Sequence, residues 1–158
     1  MKLQHVRTAA SDAGRDPSTI VPAVNLPMVV ADTEDAVDEI LGSVAAKSMA
    51  LSLSAQDWSA HGVEHPLGPD FSGVQDLLPQ TLDEATVLRY VDAVPASLLR
   101  SAGFMGTPDS VVDQVAAWRD RGLRYLVPLN VASLQPSLRG GLGSAKPFVE
   151  AMRGVRRL

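Results

Sequence analysis

The stretch GTPDSVVDQVAAWRDRGLRYLVPLN, residues 106–130, reads as one unit: a capped helix followed by a short strand. Thr107 is a good N-cap, and Pro108 suits the first helical position. Asp109 adds negative charge at the positive end of the helix dipole. Val111, Val115 and Trp118 recur at i, i+4 and i+7, which makes one apolar face. Gly122 is placed to take the left-handed conformation that ends a helix. Tyr125, Leu126, Val127, Pro128 and Leu129 then form a continuous apolar run, the pattern of a strand covered on both faces in a parallel sheet. A helix packed on a parallel strand is the repeating unit of α/β folds. Their chemistry sits just past the strand's C-terminal end, which here is Asn130 and the loop after it.

Working toward the N-terminus, Gly103, Phe104 and Met105 make a very short strand candidate, and residues 95–101 a helical turn. Thr81-Leu82-Asp83-Glu84 has a capping-box arrangement, with Leu82, Ala85, Leu88, Val91 and Ala93 on the face of the helix it opens. Residues 43–59 look helical with a weak period. The segment HGVEHPLGPDFSG that follows is a Gly- and Pro-rich loop of the length that is usually functional. Residues 20–30, IVPAVNLPMVV, are a second buried-strand candidate. Pro22 and Pro27 remove ladder donors, so the regular strand is expected to be short, with residues 25–28 at or beyond its C-terminal end. Asp32 and Thr33 can cap the next helix, which has Glu34 and Asp35 in its first turn and Gly42 at its close. The N-terminal residues read as the middle of an amphipathic helix with Leu3, Val6, Ala10 and Ala13 on one side, ending at Gly14. That leads to the expectation that the chain is part of something longer. After Asn130, LQPSLRGGLGSAKP reads as a loop, and Phe148, Val149, Met152 and Val155 line a final helix with a basic end.

The order is therefore α, β, α, a long insertion at about 43–80, α, a short β, α, β, α. Strands alternating with helices imply parallel pairing. A closed eight-stranded α/β barrel needs about 250 residues, so 158 residues suit one partial domain holding its last three βα units plus an insertion. The chain carries 14 basic and 18 acidic residues, and a formal net charge of -4 gives no electrostatic footprint for nucleic acid. Zero cysteines excludes disulfides, thiol catalysis and cysteine metal sites, and fits a cytoplasmic protein. No apolar run reaches the roughly 18 residues that span a membrane.

The segments AGRDPSTI, VADTEDAVDEI and GTPDSVVDQVAAWRDRGLRYLV occur in an order that resembles the C-terminal half of the bacterial luciferase-like flavin and deazaflavin oxidoreductases. The tail NVASLQPSLRGGLGSAKPF and the insertion HGVEHPLGPDF look closer to the family's actinobacterial deazaflavin-dependent members, such as the phthiodiolone ketoreductases. The resemblance implies the C-terminal portion of a (β/α)8 barrel, with residues 20–30, 103–105 and 125–129 as its sixth, seventh and eighth strands. It implies hydride transfer between a reduced deazaflavin, coenzyme F(420), and a small organic substrate. FMN is the alternative cofactor, and a flavin monooxygenase the near alternative activity. The family's first five strands carry its usual acid-base residues, so the catalytic residues are expected outside this chain, which alone would be inactive. The rival reading is a non-catalytic half-barrel that pairs with itself as a homo-oligomer or with a separate N-terminal half.

Six residues stand out as candidate cofactor- or substrate-binding groups. Asn25 and Met28 belong to the first strand candidate, where a strand-end polar group meets a ligand in barrel enzymes. Trp58 and His61 lie in the insertion, where loops over a barrel mouth carry specificity. Asn130 and Arg139 follow the last strand, and Arg139 beside Gly140-Gly141 suits a phosphate or carboxylate. His61 and His65 are spaced H-x-x-x-H in a Gly- and Pro-rich loop and lack the preset helical spacing of zinc proteases, so no metal site is assigned. Asp32, Glu34, Asp35, Asp83 and Glu84 are read as helix first-turn carboxylates and not as a catalytic pair.

Overall fold

A helix, α1 (Lys2–Asp12), leads through a 3-10 turn at Pro17–Thr19 into an eight-residue strand, β1 (Ala23–Val30). The computed structural model describes residues 2–135 and 138–158. From β1 the chain passes through α2 (Glu34–Leu41), α3 (Val44–Met49), α4 (Ala55–Ser59), α5 (Glu84–Asp92) and α6 (Ala96–Ser101). It then forms β2 (Phe104–Gly106), α7 (Pro108–Asp120), β3 (Tyr125–Asn130), α8 (Leu138–Gly143) and α9 (Ala145–Val155). The three strands make one parallel sheet in the order β2-β1-β3.

That order departs from the sequential order of three neighbouring barrel strands. β1 is long enough to offer both edges. β3 pairs with Ala23–Met28 along one edge, while the three residues of β2 pair with Met28–Val30 along the other. β2 is too short to carry β3 as well. The prolines fit this arrangement. The Tyr125 N–H donates to the Pro22 carbonyl at 3.0 Å, so residues 125, 127 and 129 turn their backbone groups toward β1. Pro128 therefore has its missing donor on the free edge, where proline is tolerated. Pro27 faces the β2 side below the first β2 pair, and there the chain at Gly103 lies against the Pro27 carbonyl so closely that a Cβ would collide with it. β1 thus runs through Pro27 and past residues 25–28, where it was expected to end. Asn25 is its third residue and not its end.

The side chains of the sheet divide by parity. On the even face Met28, Val30 and Phe104 pack against Val111, Val115 and Ala151, drawn from α7 and α9. On the odd face Val29 and Met105 pack under the insertion and the helices beside it, including Ala46, Trp58 and Leu98. Helices thus cover the even face and part of the odd one. β3 departs from the expected full burial. Leu126 packs on the even face, but Tyr125, Val127 and Leu129 are exposed, at 60, 43 and 47%. The helices that follow β2 and β3 both lie on the even face, and the insertion reaches only β1 and β2 on the other.

The caps follow local chemistry. Thr33, Ser43, Ser54, Asp83 and Thr107 each accept a backbone N–H of the first turn they precede. The cap of α5 is Asp83, with Thr81 in the 3-10 turn before it, and Leu88 lies on the solvent side of that helix. Gly122 ends α7 with φ +104°, as its position required. The segment expected to be a loop after Asn130 contains a 3-10 turn at Val131–Leu134 and then α8; Pro136 and Ser137 of that expectation lie outside the described residues. No helix among the described residues is long and apolar enough to cross a membrane.

Candidate functional site

Between the odd face of the sheet and the insertion lies a cavity of about 230 Å³. Its floor is Asn25, Pro27 and Val29 of β1 with Met105 of β2. Its roof is Ala46, Met49, Ala50 and Leu53 of the insertion, and Leu99, Ala102 and Val131 close its sides. The small side chains at 46, 50 and 102 leave the room. No charged residue lines it. Asn25 is exposed and stands at the mouth, and its carboxamide makes no hydrogen bond among the described residues. The only other side-chain polar group of the lining, the Ser52 hydroxyl, donates to the Met49 carbonyl at 2.7 Å.

The roof is held by an aromatic cluster. Trp58 is fully buried, and its indole N–H donates to the Ala50 carbonyl at 2.9 Å, which fixes the turn at residues 50–52 over the cavity. His65 stacks on Phe71 with ring centroids 4.2 Å apart and meets Trp58 edge-on at 5.0 Å. The Leu67 N–H donates to His65 Nδ1 at 3.1 Å, so the neutral ring carries its proton on Nε2, which is buried without a partner among the described residues. Burial pushes the His65 imidazole below its ordinary value of 6.5, and the Leu51 backbone opposes that shift more weakly.

Of the six candidate residues, Asn25 alone lines this cavity. Met28 has zero exposure and points to the opposite face of the sheet. Trp58 stabilises the roof from within the core. His61 bridges the insertion to α6, its ring nitrogens 3.0 Å from the hydroxyls of Ser97 and Ser101. Asn130 ends β3; its Nδ2 donates to the Ser144 hydroxyl at 3.4 Å, and its Oδ1 is buried without a partner among the described residues. Arg139 is exposed on α8. The cavity residues Met49, Leu53, Met105 and Val131 were not singled out from sequence. The one available signal was the run of small residues in 45–50, which opens space beneath a helix. Of the first-turn carboxylates, Glu34 is structural, bridged by Arg100 at 3.2 Å and accepting the Thr107 N–H at 3.2 Å, with Arg100 also bridging Asp38 at 2.6 Å, and Asp83 caps α5. No group of three or more metal-binding side chains forms among the described residues.

The fold and cavity define a parallel α/β domain with an apolar cavity between one sheet face and the insertion. Residues 1–125 match the luciferase-like monooxygenase family, and the chain belongs to it. It is 50% identical over 156 residues to the phthiodiolone/phenolphthiodiolone dimycocerosates ketoreductase of Mycobacterium tuberculosis, covering 99% of this chain and 41% of that protein. The ketoreductase of the same description from Mycobacterium kansasii is 49% identical, with 99% of this chain and 42% of that protein covered. The chain therefore spans about two fifths of the length of these curated relatives. Among solved structures, an F(420)-dependent secondary alcohol dehydrogenase in complex with an F(420)-acetone adduct is similar in fold. Its TM-score is 0.50 at 15% identity, over 94% of this chain and 36% of that one.

Proposed function

We propose that this chain is the substrate-side part of an oxidoreductase that moves a hydride between a reduced deazaflavin and an organic carbonyl compound. The observation that carries the reading is the 50% identity to ketoreductases along 99% of the chain. The apolar cavity with one carboxamide at its mouth supports it, since substrate sites combine apolar walls with few polar groups. Coenzyme F(420) is the cofactor we assign, with FMN as the alternative, because the structural neighbour is named for F(420). The cavity itself does not fit the cofactor ring: a space of roughly 150 Å³ accommodates one benzene, so about 230 Å³ cannot hold three fused rings. The ring and the catalytic groups belong, in this reading, to the part of the relatives that this chain does not match. The chain is one partial domain with its insertion at 43–80, and with no cysteine we place it in the cytoplasm.

The test has two arms. Titrated with reduced F(420) and with FMN, the isolated chain is expected to bind neither tightly. Supplied with the unmatched part of the M. kansasii relative, it is expected to restore ketone-dependent oxidation of reduced F(420). Tight binding by the chain alone, or no oxidation from a stable complex of the two parts, overturns the reading.

A second reading, a non-catalytic interaction module, is favoured by the exposed Tyr125, Val127 and Leu129 on one side of β3. An apolar sheet face in water seeks a partner, whether a second copy or a separate complementary half. Light scattering on the purified chain separates the two: a compact monomer at all concentrations counts against self-association.

A further inference from the structure

The cavity under the insertion has no charge, one free carboxamide at its mouth, and a definite size. These three features restrict what it can take. An ionised group brought inside would lose its hydration with nothing to pair with, which excludes carboxylates, phosphates and amines from the interior. The walls facing the space are aliphatic side chains and two thioethers, Met49 and Met105, whose unbranched chains adapt to irregular shapes. They offer a non-aromatic chain contact along its length but no hydrogen bond. Scaled from the roughly 150 Å³ that holds the six carbons of benzene, about 230 Å³ holds eight or nine heavy atoms. At the mouth, the Asn25 amide presents both a donor and an acceptor that nothing among the described residues engages.

We infer that this cavity binds the aliphatic tail of a neutral medium-chain ketone or alcohol, with the oxygen of its head group at the Asn25 carboxamide. The choice of a carbonyl head rests on the oxidoreductase reading above. The tail site rests only on the cavity. Ala102 is the position chosen for a test, because it lines the side wall and, unlike Ala46 and Ala50, is only half-buried.

The experiment uses the whole chain with methyl-labelled methionine, titrated with 2-octanone and, separately, with octanoate, without cofactor. We expect 2-octanone to move the Met49 and Met105 methyl resonances and to raise the melting temperature in a saturable way, and octanoate to do neither. Asn25→Ala, a change at an exposed side chain, is expected to weaken 2-octanone roughly two- to tenfold, the loss of one hydrogen bond. Ala102→Leu is expected to abolish the methyl shifts. If 2-octanone leaves both methyls unmoved, if octanoate binds as tightly, or if a folded Ala102→Leu chain binds unchanged, the inference is overturned. The methyl readout in the unmodified chain decides the matter even where Ala102→Leu fails to fold. Ketone binding without hydride transfer in the reconstituted pair sinks the oxidoreductase reading and leaves the cavity assignment standing. Hydride transfer with both methyls unmoved does the reverse.

Discussion

The two faces of one three-stranded sheet are finished differently. On the even face Met28, Val30 and Phe104 meet α7 and α9 in a continuous apolar contact. The ring of Phe104 also meets Trp118 edge-on at 5.5 Å, although Trp118 itself remains 42% exposed. On the odd face the insertion covers Val29 and Met105 but leaves a cavity of about 230 Å³ above them, and β3 is bare. Close packing gives cohesion, whereas a gap gives up contacts and leaves room for a ligand. The even face is packed around Phe104 and has only a cleft at its rim, lined in part by Arg119 and Arg124, whereas the gap on the odd face lies under the insertion and has no charge in its lining.

Two truncations test that contrast most strongly. Phe104→Ala and Trp58→Ala each remove a buried aromatic, and each is expected to cost about 3–5 kcal/mol. They should differ in what they loosen. Phe104→Ala is expected to lower the urea midpoint of the whole chain. Trp58→Ala is expected to speed hydrogen exchange first in 44–71, the segment whose backbone its indole and ring hold, while α7 and α9 keep their protection. Equal loss of protection throughout in both variants would break the division into two faces.

A smaller effect comes from the edge of the sheet. Gly103→Ala places a methyl against the Pro27 carbonyl, and rigid backbone there cannot yield cheaply. A loss of about 1–3 kcal/mol is expected, because overpacking costs that much and β2 has only three residues to absorb the shift. Circular dichroism melts on Gly103→Ala and Gly103→Ser measure it, and the serine variant should be no better.

These elements also show what was legible beforehand. The capped helix Pro108–Asp120 and its stop at Gly122 were readable because a cap and a left-handed residue are local chemistry. The burial of β3 was not, because an apolar run reports that a strand suits a covered position and says nothing of what covers it. The position of Asn25 was misjudged for a related reason. Pro27 looked like a strand breaker, yet its missing donor falls where β1 has no partner to serve. The helix Leu138–Gly143 was hidden by its glycines, which favour a loop by propensity. Gly141 there lets the helix approach the Ser133 carbonyl, where a Cβ would stand at 3.0 Å. The cavity was hardly legible: it arises between segments far apart in sequence, and its one local signal, the small residues in 45–50, has no periodicity of its own.

The aromatic cluster that holds the roof of the cavity contains a titratable group, His65. His65 is buried neutral between Phe71 and Trp58, with its pKa held below 6.5 by burial. As pH falls through that value the unfolded chain takes up a proton that the folded chain refuses, so stability is lost on acidification and is unaffected above it. Between about pH 7.5 and about pH 5.5 the melting temperature is expected to fall, and His65→Gln is expected to flatten that slope. An unchanged slope in the variant would mean that the roof is indifferent to this ring.

The smallest effect on stability, and the sharpest on assembly, is expected at the bare side of β3. Val127 is 43% exposed, so Val127→Asp removes only part of a buried side chain together with some β-propensity, and its stability cost should be about 1 kcal/mol. Any partner seated on Tyr125, Val127 and Leu129 would instead bury the new carboxylate without a counter-charge, a penalty far larger than the folding cost. The two quantities therefore separate cleanly in one variant. If the chain self-associates through this face, light scattering should show the variant shifted to monomer while the urea midpoint moves by no more than that cost. If the midpoint falls further while the molecular mass is the same as that of the unmodified chain, the face is packed within a single chain. The unpaired edge beside it, blunted at Pro128, then has no further role than to discourage added strands.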